Sequence, residues 1–200
     1  MVIQYLYRFT LLFFLILTFI NPAMAGEPTN KIKETTDRII AILNDPTLKV
    51  PDKAAERRRL IRKEVDKLFD WKEFSQRALA RHWRKITDKE KNEFVPLFGK
   101  LVERTYMDKV ENYSGEQVLY TDEKVEGNYG VVNVKVVTEK NEEIEVDYRL
   151  KRKGDAWVVY DVSIAGVSLV NNYRVQFNDI LMRSSFEQLM KRLKEKVAKE

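Results

Sequence analysis

Two hundred residues without cysteine and with a single histidine suit one domain, and exclude disulfides, thiolate metal sites and multi-histidine centres. Thirty-six Lys and Arg against 31 Asp and Glu give a net charge of +5. With both signs interspersed, this is a solvated surface with some preference for anionic partners, not a nucleic-acid stripe.

The first segment stands apart from the rest. Arg8 precedes an apolar stretch over 9–20, and Ala23-Met24-Ala25 supplies a small-x-small cleavage pattern. Residues 1–25 therefore read as a cleavable signal peptide, with 26–200 as a single exported domain. Counted back to Val2 the stretch is also long enough to span a bilayer, so an uncleaved anchor is the alternative. No Cys follows the cleavage pattern, which excludes a lipid anchor there.

Residues 27–29 read as a short tail before a first helix with Ile32, Thr36, Ile39 and Leu43 on one face. After Pro46 and Pro51, a second helix turns Ala54, Leu60, Ile61, Val65 and Leu68 inward. Its outer face carries Arg57, Arg58, Arg59, Arg62 and Lys63, either a solvated face or a docking surface for an anionic partner. Asp70 is an N-cap, Glu73 completes a capping box, and Phe69 with Phe74 forms a hydrophobic staple. That third helix carries Leu79 toward Trp83. Thr87 and Glu90 open a long fourth helix to about Tyr113, with Phe94, Leu97, Phe98, Leu101, Val102, Thr105, Tyr106, Val110 and Tyr113 in one stripe. Pro96 inside it predicts a bend or a split.

After Gly115 the period changes from 3.6 to 2. Val118 and Tyr120 mark a short strand, and 129–138 a second with Val132, Val134 and Val136 on one face. A third sets Ile144, Val146, Tyr148 and Leu150 opposite Glu143, Glu145, Asp147 and Arg149. In the fourth, Val158, Tyr160, Val162 and Ile164 alternate with Trp157, Val159, Asp161 and Ser163. Gly166 breaks this strand, and Ser168 caps a helix that follows directly, with Leu169, Val170, Tyr173 and Phe177 inward. Ser184 and Glu187 make a third capping box before a last helix with Phe186, Leu189, Met190 and Leu193 inward. The order predicts an α+β domain: helices over 30–113, a twisted four-stranded antiparallel meander over 116–166, and helices over 168–197 packed on one sheet face.

Catalytic patterns are missing. His82 has no partner of its own kind and reads as a surface or boundary residue. There is no HExxH, Walker loop or GxGxxG, and Ala165-Gly166-Val167-Ser168 lacks the second glycine of a nucleophile elbow because Val170 stands there. Asp161 beside Tyr160 would be an acid with a phenol partner, but strand alternation sends the two to opposite faces. No enzyme, cofactor or metal is expected. The surplus is apolar, and periodicity does not say whether the space between the layers is filled or hollow.

Four blocks carry a resemblance. They are Phe69-Asp70 with Leu79 and Arg81-His82-Trp83-Arg84; Phe94, Phe98, Leu101 and Arg104-Thr105-Tyr106; Val146-Asp147-Tyr148-Arg149-Leu150 with Trp157-Val158-Val159-Tyr160-Asp161-Val162; and Gly166-Val167-Ser168-Leu169-Val170 with Asn172-Tyr173-Arg174 and Gln176-Phe177. In order and spacing, from about Ile32 to Leu193, the chain resembles the MlaC-type (toluene-tolerance) periplasmic phospholipid-binding proteins. It departs at Ala80, where many members carry Gly, and at Ser184-Ser185, where a Gly pair is usual.

The resemblance implies a soluble monomeric carrier in the periplasm, with an NTF2-like cone plus added helices enclosing an apolar pocket. Its cargo would be phospholipid. Its partners would be an outer-membrane lipoprotein–porin complex and an inner-membrane ABC transporter with an MCE-domain subunit, in the service of outer-membrane lipid asymmetry. The expected pocket is lined by Trp83, Phe94, Phe98, Leu101, Tyr106, Val134, Val146, Tyr148, Val158, Tyr160, Val162, Ile164, Val167, Val170, Tyr173 and Phe177. Hydroxyls of Tyr106, Tyr148 and Tyr173 are expected at its mouth, with Arg149 or Arg174 meeting the phosphate. A carrier of another lipid such as a hopanoid, a filled structural or adaptor module, and an NTF2-like enzyme are the competing readings.

Overall fold

A computed structural model describes residues 26–198. The leader assigned to 1–25 lies outside the described residues. Among those described, no helix is long and apolar enough to cross a membrane.

The first two helices, α1 (Glu27–Asn44) and α2 (Ala54–Leu68), pack against each other. Residues 27–29, expected as a tail, form the first turn of α1. Its N-terminus is fixed across the molecule: the Glu123 carboxylate accepts the Thr29 N–H at 2.7 Å, and Glu27 accepts from Trp157 Nε1 at 2.9 Å. Negative charge at a helix N-terminus is favourable. A Cβ at position 26 would fall 1.7 Å from Glu123 Oε1, so the chain enters this helix through Gly26.

Helix α3 (Trp71–Leu79) starts at Asp70, whose side chain accepts the Glu73 N–H, and the Phe69 and Phe74 rings stand 6.2 Å apart as the staple requires. The reciprocal half of the capping box is replaced. The Asp70 N–H donates to Val159 O at 2.9 Å, and Glu73 binds Lys151 at 2.6 Å, so this junction is tied to the sheet. A 3-10 turn, Ala80–Lys85, follows and buries His82 and Trp83. His82, at 9% exposure, contacts Asn178 Oδ1 at 3.1 Å, so of the two expected placements it takes the boundary and not the open surface. Helix α4 (Asp88–Glu111) opens with the full Thr87–Glu90 capping box and runs as one helix through Pro96.

Strands β1 (Gln117–Glu126), β2 (Tyr129–Val137), β3 (Glu143–Lys153), β4 (Ala156–Ile164) and β5 (Val167–Ser168) form one antiparallel sheet in sequential order. The α+β meander is as expected, with one short strand more. The extra strand arises because β4 does not pass straight into a helix. Ala165 and Gly166, with φ of 48° and 78°, make a two-residue turn, and Val167 pairs back with Ile164. Helix α5 (Leu169–Arg183) is then capped by Ser168, which accepts the Asn171 N–H. In α6 (Phe186–Ala198) the first-turn hydroxyl is that of Ser185, accepting from Gln188 N, rather than Ser184 with Glu187.

One irregularity in β4 decides which side chains face inward. Arg149 pairs with Asp161 and Leu150 with Val159, so Tyr160 is an extra, unpaired residue, a β-bulge. Upstream of it Trp157 and Val159 face the interior, at 4% and 0% exposure. Downstream, Val162 and Ile164 do, opposite Tyr148 and Val146. Val158, Tyr160, Val162 and Ile164 therefore do not share a face.

Candidate functional site

The interior between helices and sheet has two unlike halves. In one, Phe74, Phe94 and Phe98 are fully buried, and Phe98 stands 4.9 Å from Tyr173 and 5.0 Å from Phe177, ring centre to ring centre. Leu101, Trp83, Val170 and Leu189 belong to the same filled cluster. Here α3, α4, α5 and α6 pack against one another.

In the other half the helices and the sheet stand apart over part of their length. Between α1, the C-terminal part of α4 and the sheet lies a lobe of about 360 Å³, whose walls include Ile32, Ile40, Tyr113, Val118, Val134 and Ile144. Between α2, α4 and the sheet lies another of about 370 Å³, walled by Ile61, Val65, Trp71, Tyr106, Val146 and Val162. The lobes adjoin along Thr36, Ile39, Lys109, Val110, Val136, Tyr148 and Ile164, which line both, as two arms of one apolar region. Val136, Val146, Tyr148, Ile164, Ile39, Val65 and Val110 lie between the layers yet are only half-buried, because their remaining accessible surface faces the void.

Little in this cavity is polar, and most of what is polar is already engaged. Arg62 binds Glu103 at 2.6 Å and Asp66 at 2.7 Å, and Glu116 accepts the Ser114 N–H. Burial pushes the Tyr148 phenol up to about 12 and raises that of Tyr106, so both remain neutral hydroxyls. Among the described residues no group of His, Asp and Glu could hold a metal ion. The Asp161 carboxylate accepts from Ser168 Oγ at 2.7 Å and from Val170 N at 3.0 Å, so it fixes the start of α5 and does not stand as a free acid. An apolar space of this kind can shelter apolar chains from water.

Of the residues predicted for the pocket, Tyr106, Val134, Val146, Tyr148, Val162 and Ile164 line the cavity. Trp83, Phe94, Phe98, Leu101, Val170, Tyr173 and Phe177 lie in the filled half, where ring packs on ring. Val167 is 56% exposed in the β5 turn. The bulge takes Val158 and Tyr160 off the cavity wall; the Tyr160 ring sits 4.1 Å beneath the Arg77 guanidinium. Of the hydroxyls placed at a wet mouth, that of Tyr173 is buried near Thr105 Oγ1 at 3.5 Å.

The two arginines are also elsewhere. Arg149, on the far face of β3, binds Ser163 Oγ at 2.7 Å and Asp161 at 3.3 Å. Arg174 donates to Arg77 O, at the end of α3. The basic face of α2 is largely neutralised: Arg57 and Arg58 both bind Glu111, and Arg62 binds Glu103. Sequence reasoning missed Thr36, Ile39, Val65, Lys109, Val110 and Val136 as cavity residues. Their helical or strand spacing marks the inward face, but gives no sign that the space opposite is empty.

The family model described as MlaC protein matches residues 33–195. The chain belongs to the MlaC family. The intermembrane phospholipid transport system binding protein MlaC of Haemophilus influenzae is 20% identical over 195 residues, covering 94% of this chain and 91% of its own length. The phospholipid-binding protein of Ralstonia solanacearum, solved in complex with a phospholipid, superposes with a TM-score of 0.77 at 26% identity, over 86% of this chain and 98% of that one. Both of these proteins are named for binding, and neither name is that of an enzyme.

Proposed function

We propose that the chain is a periplasmic phospholipid carrier that takes lipid between an outer-membrane lipoprotein–porin complex and an inner-membrane MCE-type ABC transporter. The observation that carries this reading is the two-armed apolar cavity between α1, α2, α4 and the sheet. The phospholipid bound by the Ralstonia relative supports it, and family membership supports the membrane partners. Burying acyl chain is worth about 0.8 kcal/mol per CH₂, so a free diacyl lipid crosses water very rarely. A protein that holds both chains in apolar arms lowers that barrier without covalent chemistry. The arms are open volumes of ligand-pocket size, and their walls are aliphatic and aromatic.

Organic extraction of the purified, folded protein followed by lipid mass spectrometry tests the reading. The expected result is a diacyl phospholipid at close to one per chain, or its uptake on incubation with phospholipid vesicles. A folded protein that neither carries nor acquires phospholipid would overturn the proposal, and recovery of a polycyclic lipid instead would reassign the cargo.

A further inference from the structure

Helix α4 faces the cavity with Tyr106, Lys109 and Val110, spaced i, i+3 and i+4, and Tyr113, just beyond the end of the helix, continues the lining. A helical stripe of this kind calls for apolar residues throughout, and one member is a lysine. Lys109 lines both arms, at the place where they join. Of the charged side chains on the cavity wall, Arg62 is held by Asp66 and Glu103, Glu103 by Arg62, and Glu116 by Ser114. Lys109 makes no hydrogen bond or ion pair among the described residues. The nearest carboxylates in sequence do not serve it, since Arg57 and Arg58 hold Glu111, and Asp108 stands 3.6 Å from Arg58.

We propose that Lys109 is the contact for the phosphodiester of the cargo, seated at the junction of the two arms with one acyl chain in each; the proposal rests on the carrier reading. Three observations carry it. The arms share one wall, as the two acyl chains of a phospholipid share one glycerol. The single unengaged charge on the wall is positive and stands on that shared part. Its long apolar stem can lie along Val110 and Ile39 while the ammonium remains in water at the rim, where a headgroup would emerge. A lone ammonium pairs with phosphate as a point charge and does not read headgroup shape. Lys109 would therefore select for a phosphate and be indifferent to what the phosphate carries.

A last-turn lysine also complements the helix dipole, so the test must separate binding from stability. Vesicles are doped with a fluorescent phospholipid or with a fluorescent diacylglycerol bearing the same chains, and uptake is measured at low salt for the wild type, Lys109→Met and Lys109→Arg. The expected result is a loss of about tenfold in phospholipid affinity for Lys109→Met, the scale of one charge-assisted contact. Diacylglycerol uptake should be unchanged, and Lys109→Arg should restore phospholipid affinity. Equal loss of both lipids, or no loss of either, overturns the proposal. Competition by inorganic phosphate at matched ionic strength would assign the lysine to free anion and overturn it too. Failure of the wild type to take up either lipid overturns the carrier reading itself, a result distinct from all of these.

Discussion

Ala80 ends α3 with φ of 46° and ψ of −119°, a backbone region in which a Cβ is strained. It stands where the resemblance finds Gly in many members of the family. The strain is held in place because the next turn must reverse to bury His82 and Trp83. Glycine would relieve about 1–3 kcal/mol of strain and lose about 0.5–1 kcal/mol to greater unfolded-state freedom. Ala80→Gly should therefore raise stability by about 1 kcal/mol, a rise in Tm of about 2–4 °C at this chain length. Thermal unfolding of the pair decides it, and an unchanged or lower Tm would show that the turn is not strained. At this scale the sequence was least legible. Arg149 and Arg174 have the right charge for a phosphate, but their donors are committed to Asp161, Ser163 and Arg77 O, partners brought close only by the fold.

Secondary-structure elements were more legible, because caps and periods are local. The Thr87–Glu90 box, the Phe69–Phe74 staple and the three main strand pairings follow from residues a few positions apart. The bulge at Tyr160 left no such mark, since Val158, Tyr160, Val162 and Ile164 alternate as well as any unbroken strand. It has a direct consequence for binding. Val146→Glu places a carboxylate in the cavity and should cut lipid loading several-fold, whereas Tyr160→Asp, on a side chain stacked under Arg77, should leave loading near the wild type. Comparable loss in both, measured by lipid extraction from equal amounts of folded protein, would place Tyr160 on the binding wall after all.

The α3–β3 tie makes its own prediction about pH. Burial raises the Asp70 carboxyl, but the Glu73 N–H, Lys153 and Lys151 more than offset this and hold it below its ordinary value. Its folded pKa is thus lower than its unfolded one. The tie stabilises the fold above the unfolded value of about 4 and is lost as pH falls through the folded value. Asp70→Asn keeps a good N-cap but removes the charge. The variant should be less stable than the wild type at pH 7, and the gap should close on acidification below pH 4. Urea midpoints measured across that range check it; a gap independent of pH would mean that the charge contributes nothing.

On the scale of the whole molecule, one layered interior combines a packed half with a hollow half. The same four-helix side that fills with Phe74, Phe94, Phe98 and Phe177 gives a rigid frame, and α1 and α2 span the void across from the sheet. Hollowness is a property of the meeting of two faces, so no single stripe of sequence contains it; the family resemblance pointed to a pocket but periodicity placed its aromatics there. Val136 lies on the wall common to both arms and offers a test that distinguishes the two kinds of interior by sign. In a filled core, Val136→Phe would be overpacked and cost about 1–3 kcal/mol. In a void, the added ring leaves water and packs against Ile39, Val110 and Ile164, with a gain of up to about 1 kcal/mol at roughly 25 cal/mol per Å². The lipid-free variant should accordingly unfold at the wild-type temperature or a few degrees above it, while lipid uptake falls because the ring occupies the junction. Loss of stability with uptake retained would mean that the arms are closed in solution and that the cargo, if any, binds elsewhere.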